Sequence, residues 1–175
     1  MDVHRTALAG VLVIEPRVFR DDRGFFIETY HANRYADVGI DLPFVQDNHS
    51  RSRQGTLRGL HFQRTRPQGK LVRVVEGEVL DVAADIDPAS PTYGQWVAVS
   101  LSADNFRQLY VPPGYAHGFY VVSETTQLEY KCTDFYDPAD EGGVMWDDPV
   151  LGIEWPTGAP RLSPRDTQHP PLPRR

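Results

Sequence analysis

A histidine and an arginine lie close together in one short strand-like segment, TLRGLHFQ at 56–63. Side chains two apart in a strand share a face, so His61 would face one side with Gly59, and Arg58 would face the other. A glycine inside a strand often marks the close approach of a ligand or of another backbone, and Gly59 should leave open space beside His61. The segment therefore predicts a site that binds or moves charge.

The surroundings of this segment are strongly basic. Residues 48–75 include seven Lys or Arg residues and no Asp or Glu, whereas the whole chain has a net charge of -6. One basic patch on an acidic background indicates electrostatic focusing of a small anion, and it disfavours nucleic-acid binding, which needs a basic stripe over the whole domain. The bidentate guanidinium of Arg58, in the middle of the strand, is suited to a pyrophosphate.

Two further clusters supply groups for proton transfer. A proline-glycine turn leads to His117 at the start of a strand, and Tyr130 and Tyr136 lie at the end of another. Removal of a proton beside a ketone needs a general base and a cation or donor for the enolate oxygen, and inversion also needs an acid on the opposite face. His61, Lys70 and a tyrosine could supply these three functions, which predicts proton transfer at carbon.

Each of these residues also has a structural explanation. His61 alone could be a core histidine bonded to a backbone carbonyl, and Tyr130 and Tyr136 could be ordinary sheet aromatics. The basic neighbours of His61 favour a site instead. Lys70 is mildly informative because the chain has only two lysines among its eighteen Lys and Arg residues.

The length and the terminal composition indicate one domain. The 175 residues suffice for a single core, so residues 1–175 are interpreted as one domain with a proline-rich C-terminal segment from about residue 156. Six prolines in the last twenty residues predict a coil over the sheets or a frayed tail, rather than a packed element.

Hydrophobic runs between turn signals predict an all-β fold. Strands are predicted at 8–15, 25–30, 44–50, 55–63, 70–76, 78–86, 95–101, 107–111, 118–122 and 126–133, with a turn at 19–24. Only 31–38, followed by Gly39 as its C-terminal cap, is typical of a helix. This pattern favours a β-sandwich or barrel.

Cysteine usage and hydropathy restrict the expected location. The single cysteine, Cys132, cannot form an internal disulfide, which favours a reducing cytoplasm. No stretch approaches the length of a membrane helix, so no membrane partner is expected.

Seven short motifs occur in order along the chain. They are FRDDRGFFIET at 19–29, FVQDNHS at 44–50, LRGLHFQ at 57–63, QGKLV at 68–72, VPPGYAHGF at 111–119, YKCT at 130–133 and WDDP at 146–149. Together they resemble the dTDP-4-dehydrorhamnose 3,5-epimerase family, and the match extends from about residue 10 to Asp166. The resemblance implies a cupin-like jelly-roll homodimer, with one or two short helices, that acts without a metal or a cofactor.

The resemblance also implies a substrate and residue roles. The substrate would be dTDP-4-dehydro-6-deoxy-D-glucose, a dTDP-4-dehydro-6-deoxyhexose, with inversion at carbons 3 and 5 on the way to dTDP-L-rhamnose. His61 would be the base, oriented by Asp166; Tyr130 would be the acid on the other face, and Lys70 would hold the enolate oxygen. The implied substrate contacts are Phe19, Arg23, Glu28, Gln46, Asp47, Asn48, Arg58, Lys70, His117, Tyr136, Glu141 and Arg165.

Three alternatives remain open. The P-x-G-x-x-H pattern at 112–117 is similar to a motif of metal-dependent cupins, but the His-x-His pair closely followed by Glu that such cupins use is missing around His61. Two histidines alone make a poor metal site, so no metal is expected. A binding module without chemistry is disfavoured because base, acid and cation are all present. Relatives that invert only carbon 3 or only carbon 5 are the closest rival, because residue letters do not give the geometry of the sugar ring.

Overall fold

The computed structural model describes residues 1–174 and is built almost entirely from antiparallel strands. The strands are β1 (Asp2–Arg5), β2 (Leu12–Glu15), β3 (Val18–Asp21), β4 (Gly24–Ile27), β5 (Gln46–Arg53), β6 (Leu57–Gln63), β7 (Lys70–Glu76), β8 (Glu78–Asp85), β9 (Trp96–Ser102), β10 (Gln108–Val111), β11 (Tyr115–Val121), β12 (Thr125–Cys132) and β13 (Glu141–Gly143). One sheet has the order β1-β2-β10-β7-β12-β5 and the other β13-β6-β11-β8-β9, while β3 and β4 form a separate hairpin. The predicted all-β, cupin-like jelly-roll sandwich is confirmed.

The strand boundaries differ from the prediction mainly near the N-terminus. The predicted first strand, 8–15, is wrong in its first half: β1 comes earlier, and a turn in which the Thr6 hydroxyl donates to the Leu8 and Val11 carbonyls leads into β2. The predicted turn at 19–24 is also wrong. Most of it belongs to the β3–β4 hairpin, whose turn is closed when the Arg23 N–H donates to Oδ1 of Asp21. Strand β13 was not predicted, because EGG has no β-branched or aromatic residue.

The main core lies between the two sheets, where apolar residues of both sheets are buried against one another. Val72 and Val74 of β7 and Leu128 of β12 pack against Val79 and Phe119 from the facing sheet. Burying a side chain of this size contributes about 1.5–3 kcal/mol, so this layer holds the sheets together. Both walls of any cavity between the sheets are therefore rigidly placed.

A short helix and the C-terminal coil cover parts of the outer faces of the two sheets. Helix α1 (Ala32–Ala36) lies within the predicted 31–38, and its Tyr35 is buried against the first sheet, where its hydroxyl donates to Gln108. No helix among the described residues has the length and apolar composition to cross a bilayer. The C-terminal coil buries Leu151 and Leu172 against the second sheet, which is one of the two arrangements predicted for it.

Candidate active site

Strand β6 brings Arg58 and His61 into the same cavity, although they are three residues apart. Strict alternation predicts opposite faces for them, and that prediction is wrong because the register between β6 and β11 shifts at this point. Gly59 has a φ of 123°, and a Cβ there would lie 2.6 Å from Cα of Gly118. The space predicted to be open beside His61 is thus filled by the backbone of β11, which only a glycine permits.

The cavity has a volume of about 350 Å³ and opens between the two sheets at one end of the sandwich. This size is within the range of small-molecule sites. The residues predicted for the site that line it are Gln46, Asn48, Arg58, His61, Lys70, His117, Tyr130, Tyr136 and Glu141. Strands β5, β7 and β12 of one sheet and β6, β11 and β13 of the other supply most of this wall, so residues distant in sequence meet here.

The predicted partner of His61 is in place. Nε2 of His61 lies 2.6 Å from Oδ1 of Asp166, whose other oxygen accepts a 2.7 Å hydrogen bond from the Ser163 hydroxyl. Burial alone would raise the pKa of Asp166, but the hydrogen bonds from His61 and Ser163 outweigh it and lower the pKa to about 2. Asp166 is therefore ionised at neutral pH, so it accepts from Nε2–H and leaves Nδ1 of His61 as the nitrogen that can act on a ligand.

Lys70 and Tyr130 come from neighbouring strands of the sheet that faces His61. Burial lowers the pKa of Lys70, although the nearby Cys132 partly opposes this, and its Nζ donates to Gln68 at 3.2 Å. Burial raises the pKa of Tyr130, against the effect of Arg58. The phenol thus keeps its proton at neutral pH and can serve as an acid, while the ammonium can stabilise negative charge.

A second imidazole–carboxylate pair forms part of the wall. Nε2 of His117 lies 2.8 Å from Oδ1 of Asp81, which is 0% exposed, and Oδ2 of Asp81 makes no hydrogen bond to a described residue. The buried carboxylate fixes the orientation of the imidazole at the cavity. His117 is the third residue of β11, rather than at its start as predicted.

The rim of the cavity is a cluster of three predicted residues. The Tyr136 hydroxyl donates to Oε2 of Glu141 at 3.0 Å, and Nη1 of Arg165 contacts both of them. Gln46 joins the cluster by accepting the backbone N–H of Tyr136 at 2.8 Å. Hydrogen bonding within the cluster therefore holds the C-terminal coil beside the cavity.

Asp47, predicted as a substrate contact together with Gln46 and Asn48, does not line this cavity. Alternation along β5 puts Gln46 and Asn48 on the cavity side, whereas Asp47 faces away and pairs with Nζ of Lys131 at 3.1 Å. Lys131 likewise does not line the cavity.

Three predicted contacts lie on or just after the β3–β4 hairpin and do not reach this cavity. Arg23 pairs with Asp21, Glu28 pairs with Arg34, and the Phe19 side chain is largely exposed. None of the three lines the cavity that contains His61. Within one chain, the site therefore lacks the predicted contributions of Phe19, Arg23 and Glu28.

Sequence reasoning missed several residues around the site. Phe62, Gln63, Gln68 and Phe119 also line the cavity. Asp81 could have been found from the sequence, because a carboxylate within the apolar run of β8 needs a buried polar partner. Nothing in the sequence signalled His169, whose ring packs edge-on against that of His61.

The β-sandwich and its cavity define a cupin-like jelly-roll protein in which a histidine, a lysine and a tyrosine meet at one site. A family model described as dTDP-4-dehydrorhamnose 3,5-epimerase matches residues 5–174. The chain therefore belongs to the dTDP-4-dehydrorhamnose 3,5-epimerase family, whose members are isomerases.

Individual relatives agree with this membership. The dTDP-4-dehydrorhamnose 3,5-epimerase of Salmonella typhimurium is 52% identical over 173 residues, which covers 97% of this chain and 94% of the relative. The crystal structure of the 3,5-epimerase from Legionella pneumophila in complex with dTDP-4-keto-L-rhamnose has a TM-score of 0.95 at 49% identity, covering 98% of this chain and 92% of that one. A dTDP-4-dehydrorhamnose 3-epimerase from Streptomyces niveus is 42% identical over 95% of this chain and 81% of its own length.

Proposed function

We propose that this chain is a dTDP-4-dehydrorhamnose 3,5-epimerase that inverts carbons 3 and 5 of dTDP-4-dehydro-6-deoxy-D-glucose. The observation that carries the proposal is the convergence of His61, Lys70 and Tyr130 on one cavity. A ketone at carbon 4 acidifies the hydrogens on both neighbouring carbons. The same base, acid and cation can therefore act at either carbon.

In the first step, Nδ1 of His61 takes the proton from the carbon next to the ketone. The ionised Asp166 stabilises the imidazolium that forms, because it is held 2.6 Å from Nε2. Lys70 stabilises the enolate oxygen as negative charge develops there. Burial of the Lys70 ammonium excludes water and so strengthens its attraction to the enolate oxygen.

In the second step, Tyr130 returns a proton to the opposite face of the enolate. Support for this role comes from the topology: Tyr130 lies on β12 of one sheet and His61 on β6 of the other, so they enter the cavity from opposite walls. The phenolate that remains regains its proton from solvent before the next turnover. Inversion follows because removal and return occur on different faces.

The nucleotide half of the substrate is bound by the polar residues at the mouth of the cavity. Arg58 contacts the pyrophosphate, and Gln46 and Asn48 contact the nucleoside. The Nε of Arg58 donates to Ser52 at 3.1 Å, which leaves its terminal amino groups to bind a phosphate. The lone thiol of the chain, Cys132, is buried and agrees with a reducing cytoplasm as the place of the reaction.

A homodimer completes the site. The β3–β4 hairpin exposes 49% of Phe19 and 68% of Phe26, which is unusual for aromatic side chains of an isolated domain. If the hairpin crosses to a second copy, Phe19, Arg23 and Glu28 can reach the partner's cavity, which accounts for their absence from the cavity of their own chain. Burial of the exposed aromatics at the interface would stabilise the dimer.

Incubation with dTDP-4-dehydro-6-deoxy-D-glucose in deuterated water, followed by NMR, tests the proposed reaction. Deuterium at both carbon 3 and carbon 5, with dTDP-4-dehydro-L-rhamnose as product, is the expected result. Label at one carbon alone would assign the chain to the mono-epimerases instead. Binding of the substrate without label at either carbon would make it a binding module and refute the proposal.

A further inference from the structure

Beside the proposed base lies a second imidazole that the mechanism does not use. His169 follows the 3-10 helix Asp166–Gln168, and its ring centroid is 5.4 Å from that of His61. The His169 side chain is only 10% exposed, and its Nε2 is buried without a hydrogen bond to any described residue. A buried ring nitrogen without a hydrogen bond is costly, and a ligand that binds it would remove that cost.

This nitrogen lies near the carboxylate that orients the base, but too far from it for a hydrogen bond. Nε2 of His169 lies 3.6 Å from Oδ1 of Asp166, and Nε2 of His61 lies 2.6 Å from the same oxygen. The three ligand atoms are all within 4.8 Å of one another. Zinc binds imidazole nitrogen and carboxylate oxygen at about 2.0–2.2 Å, so small movements of the side chains would allow one ion to contact all three atoms.

The surroundings hold two of these ligands in position. Ser163 donates to Oδ2 of Asp166 at 2.7 Å, which leaves Oδ1 directed at both imidazoles. The ring of His169 occupies the space above Gly143, where a Cβ would lie 2.3 Å from its Cε1 atom. Gly143 is paired with His61 across β13 and β6, so this packing keeps the two rings together. Outer contacts of this kind orient the ligands of metal sites.

We propose that His61, Asp166 and His169 form an inhibitory site for Zn²⁺ or a similar borderline divalent ion. Two imidazoles and one carboxylate are a ligand set that zinc accepts, with water in the fourth position. The ion replaces the hydrogen bond between His61 and Asp166. As Nε2 of His61 binds the ion, the single proton of the neutral ring moves to Nδ1, the nitrogen that must accept the substrate proton. The bound ion therefore stops turnover, unlike the activating metal of metal-dependent cupins.

Calorimetric titration with ZnCl₂ tests the site without depending on catalysis. The untagged full chain, treated with EDTA and dialysed, is expected to bind one Zn²⁺ per chain. His169→Ala and His169→Gln should each weaken the affinity at least about tenfold, as loss of a metal contact does. His31→Ala, which changes an exposed histidine, should leave it unchanged. Equal affinity in the wild type and both His169 variants would overturn the site, as would the absence of the visible absorption of tetrahedral Co²⁺ when Co²⁺ replaces Zn²⁺.

Activity measurements test the inhibitory effect, which rests on the proposed function of His61. Zinc should inhibit epimerisation by the wild type reversibly, with recovery on EDTA addition, while His169→Ala retains turnover at the same zinc concentration. Binding that depends on His169 but causes no inhibition would refute the inhibitory role and support the site. An enzyme with no epimerase activity would refute the proposed function, and the calorimetric result would still stand.

Discussion

Asp166 is the residue on which the proposed base depends, because it fixes the tautomer and the orientation of His61. We expect Asp166→Ala and His61→Ala each to lower kcat by about 10²-fold or more with little change in KM, since both remove a group needed in the transition state. Steady-state kinetics check this. Arg58→Ala is the contrasting variant and should chiefly raise KM. Near-normal turnover in His61→Ala would mean that another group is the base.

Replacement of Tyr130 by Phe should separate the two proton transfers. Deprotonation by His61 does not need the phenol, so Tyr130→Phe should still exchange substrate hydrogen with deuterated water but lose net inversion. NMR of the recovered sugar nucleotide gives both readouts from one sample. If exchange and inversion disappear together, Tyr130 acts before or during deprotonation.

The lowered pKa of Lys70 predicts an alkaline limit on activity. The charged form stabilises the enolate, and burial lowers the pKa below the ordinary value of 10.5. As the pH rises through this lowered pKa, Lys70 loses its charge and kcat should fall. Burial raises the pKa of Tyr130 above 10.0, so the phenol keeps its proton over the neutral range. The guanidinium of Lys70→Arg stays charged, so in this variant kcat should fall only at a higher pH than in the wild type. A fall at the same pH in both proteins would mean that another group causes it.

The principal chemical groups could be predicted from the sequence, and Asp166 through the family resemblance, but the packing of His169 beside them could not. The residue types of His61, Lys70 and Tyr130 indicate acid–base chemistry, and all three residues occur in recognisable motifs. The place of His169 beside His61 could not be predicted, because it depends on how the C-terminal coil folds back over β13. Proximity of this kind arises from tertiary packing, which no local pattern encodes.

Among the elements, β6 depends most on a single residue. Gly59→Ala would place a Cβ 2.6 Å from Cα of Gly118 at a φ of 123°. We expect a loss of about 2 kcal/mol or more in the free energy of unfolding, together with reduced activity because Arg58 and His61 flank the change. Urea denaturation measures this.

Gly158→Ala is the matched control for Gly59→Ala. A Cβ there meets open space, and the backbone φ is not in the left-handed region, so its stability should stay within about 0.5 kcal/mol of the wild type. A Gly59→Ala protein as stable as this control would show that β11 can move aside.

The strands were predictable where hydrophobic residues alternate with polar ones, as in β12, or form a short apolar run between turns, as in β7. Of the β3–β4 hairpin only the second strand was predicted, within 25–30, because β3 leads into charged turn residues and is largely exposed in one chain. The register shift in β6 also escaped prediction, because it depends on the approach of Gly118 from another strand.

At the scale of the whole molecule, shared sites predict complementation between inactive variants. In a mixed dimer of His61→Ala and Arg23→Ala chains, one site carries both defects and the other carries neither, if Arg23 serves the partner's cavity. Random reassortment makes half of the dimers mixed, so about a quarter of wild-type activity should return on co-refolding.

A matched control uses two defects on the same side of the proposed interface. Mixing His61→Ala with Asp166→Ala leaves every site with one defect, because both residues serve the same cavity, so no activity should return. Recovery in the control and the first mixture alike would point to subunit stabilisation rather than shared sites.

Asp166 lies in the C-terminal coil, which follows all thirteen strands of the described chain. On the ribosome, the sandwich can therefore be translated in full before the carboxylate that orients His61 exists. A nascent chain at that stage lacks the carboxylate, so its turnover is expected to be lower by about 10²-fold or more, as in Asp166→Ala. Full turnover therefore waits for synthesis of the C-terminal coil.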